Sequence, residues 1–371
     1  MNNADESIGF YAPINAGGGE FLMNFSIGTP VMPISAILDT GSDLIWVDCD
    51  RHHSPSFSPI RSSTGSNISC YSDACSDLNT FKCQNEACTY LYSYGDGSSS
   101  EGFLATETFT FGGPVSIPNV TFGCGVINQG PGLSLGSGLV GLGRGPLSLV
   151  SQLGLTKFSY CLSPIGENKT SSIVFGSLAE WNSSTRTKSN HSATPLIQNS
   201  FQTSFYYVGL EGITVGETLL PIPKEVFEVK EDGSGGMIVD SGTTLTYLHE
   251  EAFRLLKKEF TSQMRLRVST KSDTTGMDLC FDLPGKDRDF GINNDDNIDI
   301  PKVKFHFKGM DLELPSENYI VGDMSLGVVC LAMAASNGMS IFGNIQQQNF
   351  LVVHDLDQEL LSFVPTQCDQ F

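Results

Sequence analysis

The feature that most constrains this chain is a short pattern that it carries twice. Ala36-Ile37-Leu38-Asp39-Thr40-Gly41-Ser42 returns as Met237-Ile238-Val239-Asp240-Ser241-Gly242-Thr243. In both copies an apolar run ends in Asp, followed by a hydroxyl residue, Gly and a second hydroxyl residue. The run predicts a buried strand, and the Gly admits a sharp turn where backbone or ligand can approach closely. Each copy therefore lifts one carboxylate from a strand onto a tight loop. A second landmark keeps register with the first: Leu139-Val140-Gly141 ends 102 residues beyond Asp39, and Ile341-Phe342-Gly343 ends 103 beyond Asp240. Ordered landmarks at matching offsets predict two homologous halves, each supplying one Asp. The competing explanation is two unrelated turns in an all-β protein.

At 371 residues the chain is long enough for two cores. Its 39 Gly and 24 Phe, with many Val, Ile, Thr and Ser, favour short strands and turns over long helices. The 41 acidic and 21 basic residues leave a net charge of −20, which argues against nucleic acid or an anionic membrane surface as partner. In strong acid the charge rises only to about +27 with the six histidines counted, a modest self-repulsion that suits an acidic compartment. Ten cysteines, together with sequons at Asn24, Asn67, Asn119, Asn168, Asn182 and Asn190, favour an oxidising, secretory route. Asn24 falls in an expected strand, a poor place for a glycan. No signal peptide is visible at Met1 and no apolar run reaches about 18 residues, so a mature, soluble chain is expected.

Residues 1–18, polar and Gly-rich, are expected to form a loosely held tail, with strand alternation beginning at Phe21. Cys70, Cys75, Cys83 and Cys88 crowd a Ser-rich stretch. A zinc site is the alternative there, but the spacing is wider than the usual pattern and the sequons favour disulfides, whose connectivity the spacing leaves open. Tyr90 to Ser98 reads as a hairpin whose tight turn is Gly95-Asp96-Gly97. Pro146 is expected at the first helical position of a short helix with Leu147, Val150 and Leu153 on one side. The stretch Asn182–Ser192 reads as an exposed link between the halves. A clear helix is predicted near Glu250–Met264 with Phe253, Leu256, Phe260 and Met264 as its apolar stripe. The Asp/Asn-rich run Asp287–Asp299 lacks EF-hand order and reads as a solvated loop. His52-His53 shows no third ligand, so no metal site is expected. Motifs of serine and zinc hydrolases are absent from the sequence.

These residues resemble the pepsin-like aspartic proteases, and among them the nepenthesin type, the atypical plant enzymes. The resemblance runs from about Gly19 to Cys368 and includes Glu20-Phe21-Leu22-Met23-Asn24, Asp39-Thr40-Gly41-Ser42-Asp43-Leu44-Ile45-Trp46, Tyr94-Gly95-Asp96-Gly97-Ser98, Phe158-Ser159-Tyr160-Cys161 and Ile341-Phe342-Gly343-Asn344-Ile345-Gln346-Gln347-Gln348. It implies an all-β, bilobal fold with a few short helices, one lobe over 19–185 and the other over 186–371, and the active cleft between them. It implies that Thr40 and Ser241 interlock across the halves, that Tyr94 is the flap tyrosine, and that Trp46 supports its hydroxyl. It further implies an extended peptide bound between Gly95 and Asp96 of the flap and Thr244 opposite, and inhibition by statine-type, pepstatin-like compounds. The disulfides it implies are Cys49–Cys124, Cys70–Cys88, Cys75–Cys83, Cys161–Cys368 and Cys280–Cys330. The chain departs from the family in a shorter insertion after the first Asp motif, where Asp50-Arg51-His52-His53-Ser54-Pro55 follows Cys49. No saposin-like insertion is present.

The residues suit the chemistry. Two carboxylates a few ångströms apart cannot both ionise easily, so Asp39 and Asp240 are expected to hold one proton between them. The ionised member then serves as general base on a water and the protonated member donates to the scissile carbonyl. No metal, nucleotide or other cofactor is needed. Gly41 and Gly242 let backbone N–H groups reach the carboxylates and the substrate chain, while Ser42 and Thr243 can hydrogen-bond their outer oxygens, with Thr243 also expected among the substrate-binding residues. The expected activity is a secreted (alternatively vacuolar) monomeric endopeptidase acting on peptides and proteins at acid pH. Two alternatives remain: a non-catalytic binding protein resembling the plant xylanase inhibitors, and a selective processing or defence-signalling protease. For Asp96, a role in tuning cleavage beside acidic residues competes with simple turn formation.

Overall fold

The structure, a computed structural model, describes residues 9–49, 56–113, 115–133, 136–167, 169–179, 192–283 and 299–371. The repeated landmarks are paired strands. Met32–Asp39 runs parallel to Gly138–Gly141, setting Gly141 beside Asp39. Met237–Val239 runs parallel to Ser340–Phe342 in the same way, with Val239 beside Phe342. All four segments are buried apart from the start of the first and Ile341. Their near-continuous apolar runs follow from burial on both faces. Because the chain must leave each Asp strand at a turn between two neighbouring strands, the carboxylate is presented at the strand end.

Antiparallel pairing surrounds these units. Six strands form one sheet across the molecule, in the order Phe10–Ala16, Thr170–Phe175, Lys157–Cys161, Phe350–Asp355, Leu360–Pro365 and Ser192–Ile197. Three come from each half, and the seam is the pair Lys157–Cys161 with Phe350–Asp355. The first strand corrects the expectation of a loose tail through residue 18. Phe10, Ala12 and Ile14 alternate inward and are fully buried, a period-2 pattern hidden among small and polar neighbours. Phe10 packs at 4.6 Å from both Phe111 and Phe175. Burial of such a ring stabilises by about 1.5–3 kcal/mol. The expected boundary at 185/186, most of the link Asn182–Ser192, His52-His53 and nearly all of Asp287–Asp299 lie outside the described residues.

The helix Glu250–Gln263 buries Ala252, Phe253, Leu256 and Phe260, with Met264 at its C-cap. Its N-cap is His249, whose side chain accepts from Glu251 N. The short helix expected at Pro146 begins only at Leu149, capped by Ser148. Gly145 N is held by the Asp43 side chain, so the chain completes a turn before helical geometry starts.

Five disulfides close the loops: Cys49–Cys124, Cys70–Cys83, Cys75–Cys88, Cys161–Cys368 and Cys280–Cys330. Two differ from the resemblance-based expectation of Cys70–Cys88 and Cys75–Cys83. Cys83 and Cys88 face each other across a hairpin, but Cys88 is fully buried while Cys83 is exposed. The turn Asp73–Ser76 drives Cys75 into the same apolar cluster as Cys88, so those two meet inside. Cys70, buried in the same cluster and hydrogen-bonded through its N–H to Glu86 O, pairs with the exposed Cys83 across that cluster's edge.

Candidate active site

The two Asp loops face each other at the junction of the halves. Asp39 and Asp240 are only 5% and 7% exposed. Each carboxylate is gripped by its own loop in the same way. Asp39 Oδ1 accepts from Gly41 N at 2.8 Å and Oδ2 accepts from Ser42 Oγ. Asp240 Oδ1 accepts from Gly242 N at 2.8 Å and Oδ2 from Thr243 Oγ1 at 2.6 Å. A Cβ on Gly41 would come within 2.6 Å of Asp240 Cγ, and one on Gly242 would strike Asp39 Oδ1. Glycine is therefore required at both positions by the approach of the opposite carboxyl. Burial raises the Asp39 pKa well above the carboxylate range, and the Asp240 charge and a hydrogen bond between the carboxyls add to the shift. The pair is built to hold one proton.

Thr40 and Ser241 lie beneath the carboxylates, both fully buried. Thr40 N donates to Ser241 Oγ at 3.1 Å and Ser241 N to Thr40 Oγ1 at 2.9 Å. Ser241 Oγ donates onward to Leu38 O at 2.8 Å and Thr40 Oγ1 to Val239 O at 3.3 Å. Four crossed hydrogen bonds thus tie one Asp strand to the other. Removing either hydroxyl strands a buried N–H, which costs about 1–3 kcal/mol.

The hairpin of Ala87–Ser93 with Ser99–Phe111 ends in the turn Tyr94–Ser98, closed by Tyr94 N to Ser98 O at 2.8 Å. Trp46 Nε1 donates to the Tyr94 hydroxyl at 2.6 Å, linking the hairpin to the strand just after the first Asp loop. Gly95 and Asp96 are exposed at the tip. Asp96 spends both oxygens on Ser98, accepting from its N at 2.8 Å and its Oγ at 2.7 Å, the geometry of a turn-former. The Thr244 hydroxyl donates to Gly19 O at 2.8 Å, so that group binds the other half of the protein.

Several residues at the site had no assigned role in the sequence reading. Asn344 Nδ2 donates to Gly19 O and Ser241 O, both at 3.0 Å. Gln347 Nε2 reaches Asp240 O at 3.1 Å, and its carbonyl accepts from Tyr160 Oη at 2.6 Å. Their polar character beside apolar residues in Ile341–Gln348 and Phe158–Cys161 is the signal in the sequence. Glu20 stands at the start of a strand by the flap. Burial, then the nearby Asp96 charge, pushes it up to about 7. Asn24 donates to Asn15 Oδ1 at 2.6 Å and to Pro13 O at 3.4 Å, which argues against a glycan there. Asn67 and Asn119 are exposed, and the remaining sequon asparagines lie outside the described residues. Among the described residues no group of three or more His, Cys, Asp or Glu side chains is placed to hold a metal. A cavity of about 720 Å³ lined by Cys49, Phe57, Ile60, Phe103, Val126 and Ile127, among others, shares no residue with the Asp loops or the turn Tyr94–Ser98.

The family models described as Xylanase inhibitor N-terminal and Xylanase inhibitor C-terminal match residues 21–177 and 205–365. Aspartic proteinase nepenthesin-1 of Nepenthes gracilis is 50% identical over 368 residues, covering 97% of this chain and 80% of that protein. The solved structure of edgp superposes with TM-score 0.76 at 19% identity, covering 98% of this chain and 96% of that one. The aspartic proteinase from Irpex lacteus superposes with TM-score 0.66 at 18% identity, covering 98% of each. These two show the fold, pepsin-like and mostly β. With half of its residues shared over nearly its whole length, the chain belongs to the nepenthesin-type aspartic proteinases.

Proposed function

We propose that the protein is a secreted, monomeric endopeptidase that hydrolyses peptide bonds at acid pH through the Asp39/Asp240 pair. The observation that carries this reading is the matched grip on two buried carboxyls in contact, with one driven to keep its proton. The pair holds one proton between Asp39 and Asp240, and the ionised member is the general base. The ionised member takes a proton from a water lying between them, while the protonated member donates to the scissile carbonyl oxygen. The tetrahedral intermediate then collapses as the first returns its proton to the leaving nitrogen and the second is reprotonated from the intermediate's hydroxyl. Thr40 and Ser241 hold the two loops together. The Trp46–Tyr94 hydrogen bond supports the flap, and the flap backbone at Gly95 and Asp96, with Thr244 opposite, receives an extended peptide as an added strand.

Five disulfides and two exposed sequons support a secretory route, with the vacuole as the other destination. Among the described residues no helix is long and apolar enough to cross a membrane. A second reading is favoured by the descriptions of the matching family models: a binding protein on this fold without catalysis. Against it stand both intact Asp loops. Hydrolysis of peptide substrates measured from about pH 2 to 8 separates them. The expected result is an acid maximum, inhibition by a statine-type compound that mimics the tetrahedral intermediate, and loss of activity in Asp39→Ala. A maximum at or above neutrality, or activity that survives that substitution, defeats the proposal.

A further inference from the structure

Asp43 follows Asp39 by four residues and plays no part in the reaction just described, yet its half-buried carboxyl is engaged at both oxygens. Oδ1 accepts from Gly145 N at 2.8 Å, and Oδ2 accepts from Ser204 Oγ. Gly145 belongs to the loop leaving the strand that flanks Asp39, and Ser204 belongs to the other half. The neighbouring backbone crosses in the same place, with Arg144 N donating to Ser204 O at 2.9 Å and Gly143 N to Ser42 O at 2.8 Å. A Cβ on Gly143 or Gly145 would run into the Asp43 carboxyl, so the backbone of this loop is shaped around that side chain. The main chain of Asp43 serves a third element, its N–H donating to Tyr92 Oη at 3.3 Å. Tyr92 in turn packs at 5.3 Å from the flap residue Tyr94.

We propose that Asp43 is a positioning residue: by bridging Gly145 and Ser204 it fixes the Asp39 loop against the opposite half and so sets Asp39 relative to Asp240. The inference rests on the proteolytic reading above. It also explains why a carboxyl suits a site that works in acid. Burial raises the Asp43 pKa, opposed by the Ser204 and Gly145 hydrogen bonds. When protonated, Oδ2–H donates to Ser204 Oγ while Oδ1 still accepts from Gly145 N, so both links survive the change of charge. Among the described residues Tyr92 and Tyr206 feel the Asp43 charge, Tyr92 also that of Asp39, and Arg144 beside Gly145 is paired with Glu359 at 2.6 Å.

The test compares Asp43→Ala, Asp43→Asn and Ser204→Ala at a temperature well below each melting point. Asp43→Ala is expected to lower kcat by about 10- to 100-fold, the scale of a small misplacement of a reacting group, with KM within about twofold. A statine-type inhibitor should weaken in step with kcat, because it reports transition-state fit. Asp43→Asn keeps an acceptor for Gly145 and offers a donor to Ser204, and should restore kcat to within about threefold of wild type. Ser204→Ala should fall between. Unchanged kcat in Asp43→Ala, or an Asn variant as slow as the Ala variant, overturns the inference. Should Asp43→Ala not fold, Ser204→Ala decides: a wild-type kcat there overturns it. Wild-type protein inactive on peptides at every pH would instead defeat the proteolytic reading.

Discussion

The loop that carries Asp39 and the loop that carries Asp240 are alike through the hydroxyl that grips each carboxylate, and they part at the fourth residue after Asp. In the first half that residue is Asp43, which reaches Ser204. In the second it is Thr244, which reaches Gly19 O and shares that acceptor with Asn344. Both cross to the opposite half, one with a carboxyl and the other with a hydroxyl and an amide. The difference teaches that the duplicated geometry constrains the reacting carboxyls and their nearest supports, while the outer ties need only reach across. The first half also carries the flap, so its loop answers to Trp46, Tyr92 and Tyr94 as well.

If the inner geometry is truly shared, Asp39→Asn and Asp240→Asn should each lower kcat by about 10⁴-fold, the full contribution of a lost acid or base. Substantial residual activity in only one of them breaks the equivalence. Steady-state kinetics on one peptide with both variants checks it.

The seam offers a sharper contrast, because the halves contribute unlike rings there. Phe158 from one pairs with His354 from the other, their rings stacked at 4.3 Å. His354 is fully buried, and neither ring nitrogen has a hydrogen-bond partner among the described residues. Burial, with Arg144 nearby, lowers its pKa from 6.5 to about 3. Its contribution to stability is therefore complete above pH 6.5 and is lost as pH falls from there toward 3. At about pH 4 the loss is about 3 kcal/mol. His354→Phe should narrow the gap between melting temperatures at about pH 8 and pH 4. An unchanged gap would show that the imidazole is not a liability in acid.

Thr40→Val and Ser241→Ala test the crossed hydrogen bonds directly. Each should destabilise by about 1–3 kcal/mol in denaturant titration. Equal costs support a symmetric clasp, and a one-sided cost would assign the work to one half.

The smallest effect belongs to the flap side alone. Glu20, raised to about 7 by burial and Asp96, favours its protonated form in the fold. Its stabilisation is complete below the ordinary value of 4.5 and is lost as pH rises through 7. The group is half-exposed, so the change should stay below about 1 kcal/mol. Glu20→Gln should remove that part of the pH dependence between about pH 4 and 8, read from melting temperatures, and an unaltered dependence would place its origin elsewhere.

The doubled loops, the glycine partners and the large helix were legible because each rests on local chemistry: a strand-ending Asp, a turn glycine, an apolar stripe. Thr40 and Ser241, and Trp46 with Tyr94, were reached only through resemblance, since nothing local says that residues so far apart meet. Asp43 stood in a quoted motif with no role attached. Its function depends on Ser204, and no spacing rule connects the two. The strand at Phe10 was missed because alternation over so few residues is weak beside Gly and Pro. The misassigned cysteine pairs show the same limit: in a crowded loop the partner is chosen by how the intervening backbone folds, which the spacing does not encode.

The sheet across the seam also bears on how such a chain is made. Phe10–Ala16 waits for Thr170–Phe175, and Lys157–Cys161 waits for Phe350–Asp355. During synthesis the first half can close on itself while one edge strand, largely apolar and with its hydrogen-bonding groups unpaired, stands open until almost the whole chain has emerged. Long-range pairing of this kind folds slowly, and an open edge invites association with other chains. The nascent protein is thus most vulnerable to aggregation in the interval between the completion of its first half and the arrival of residues 350–355.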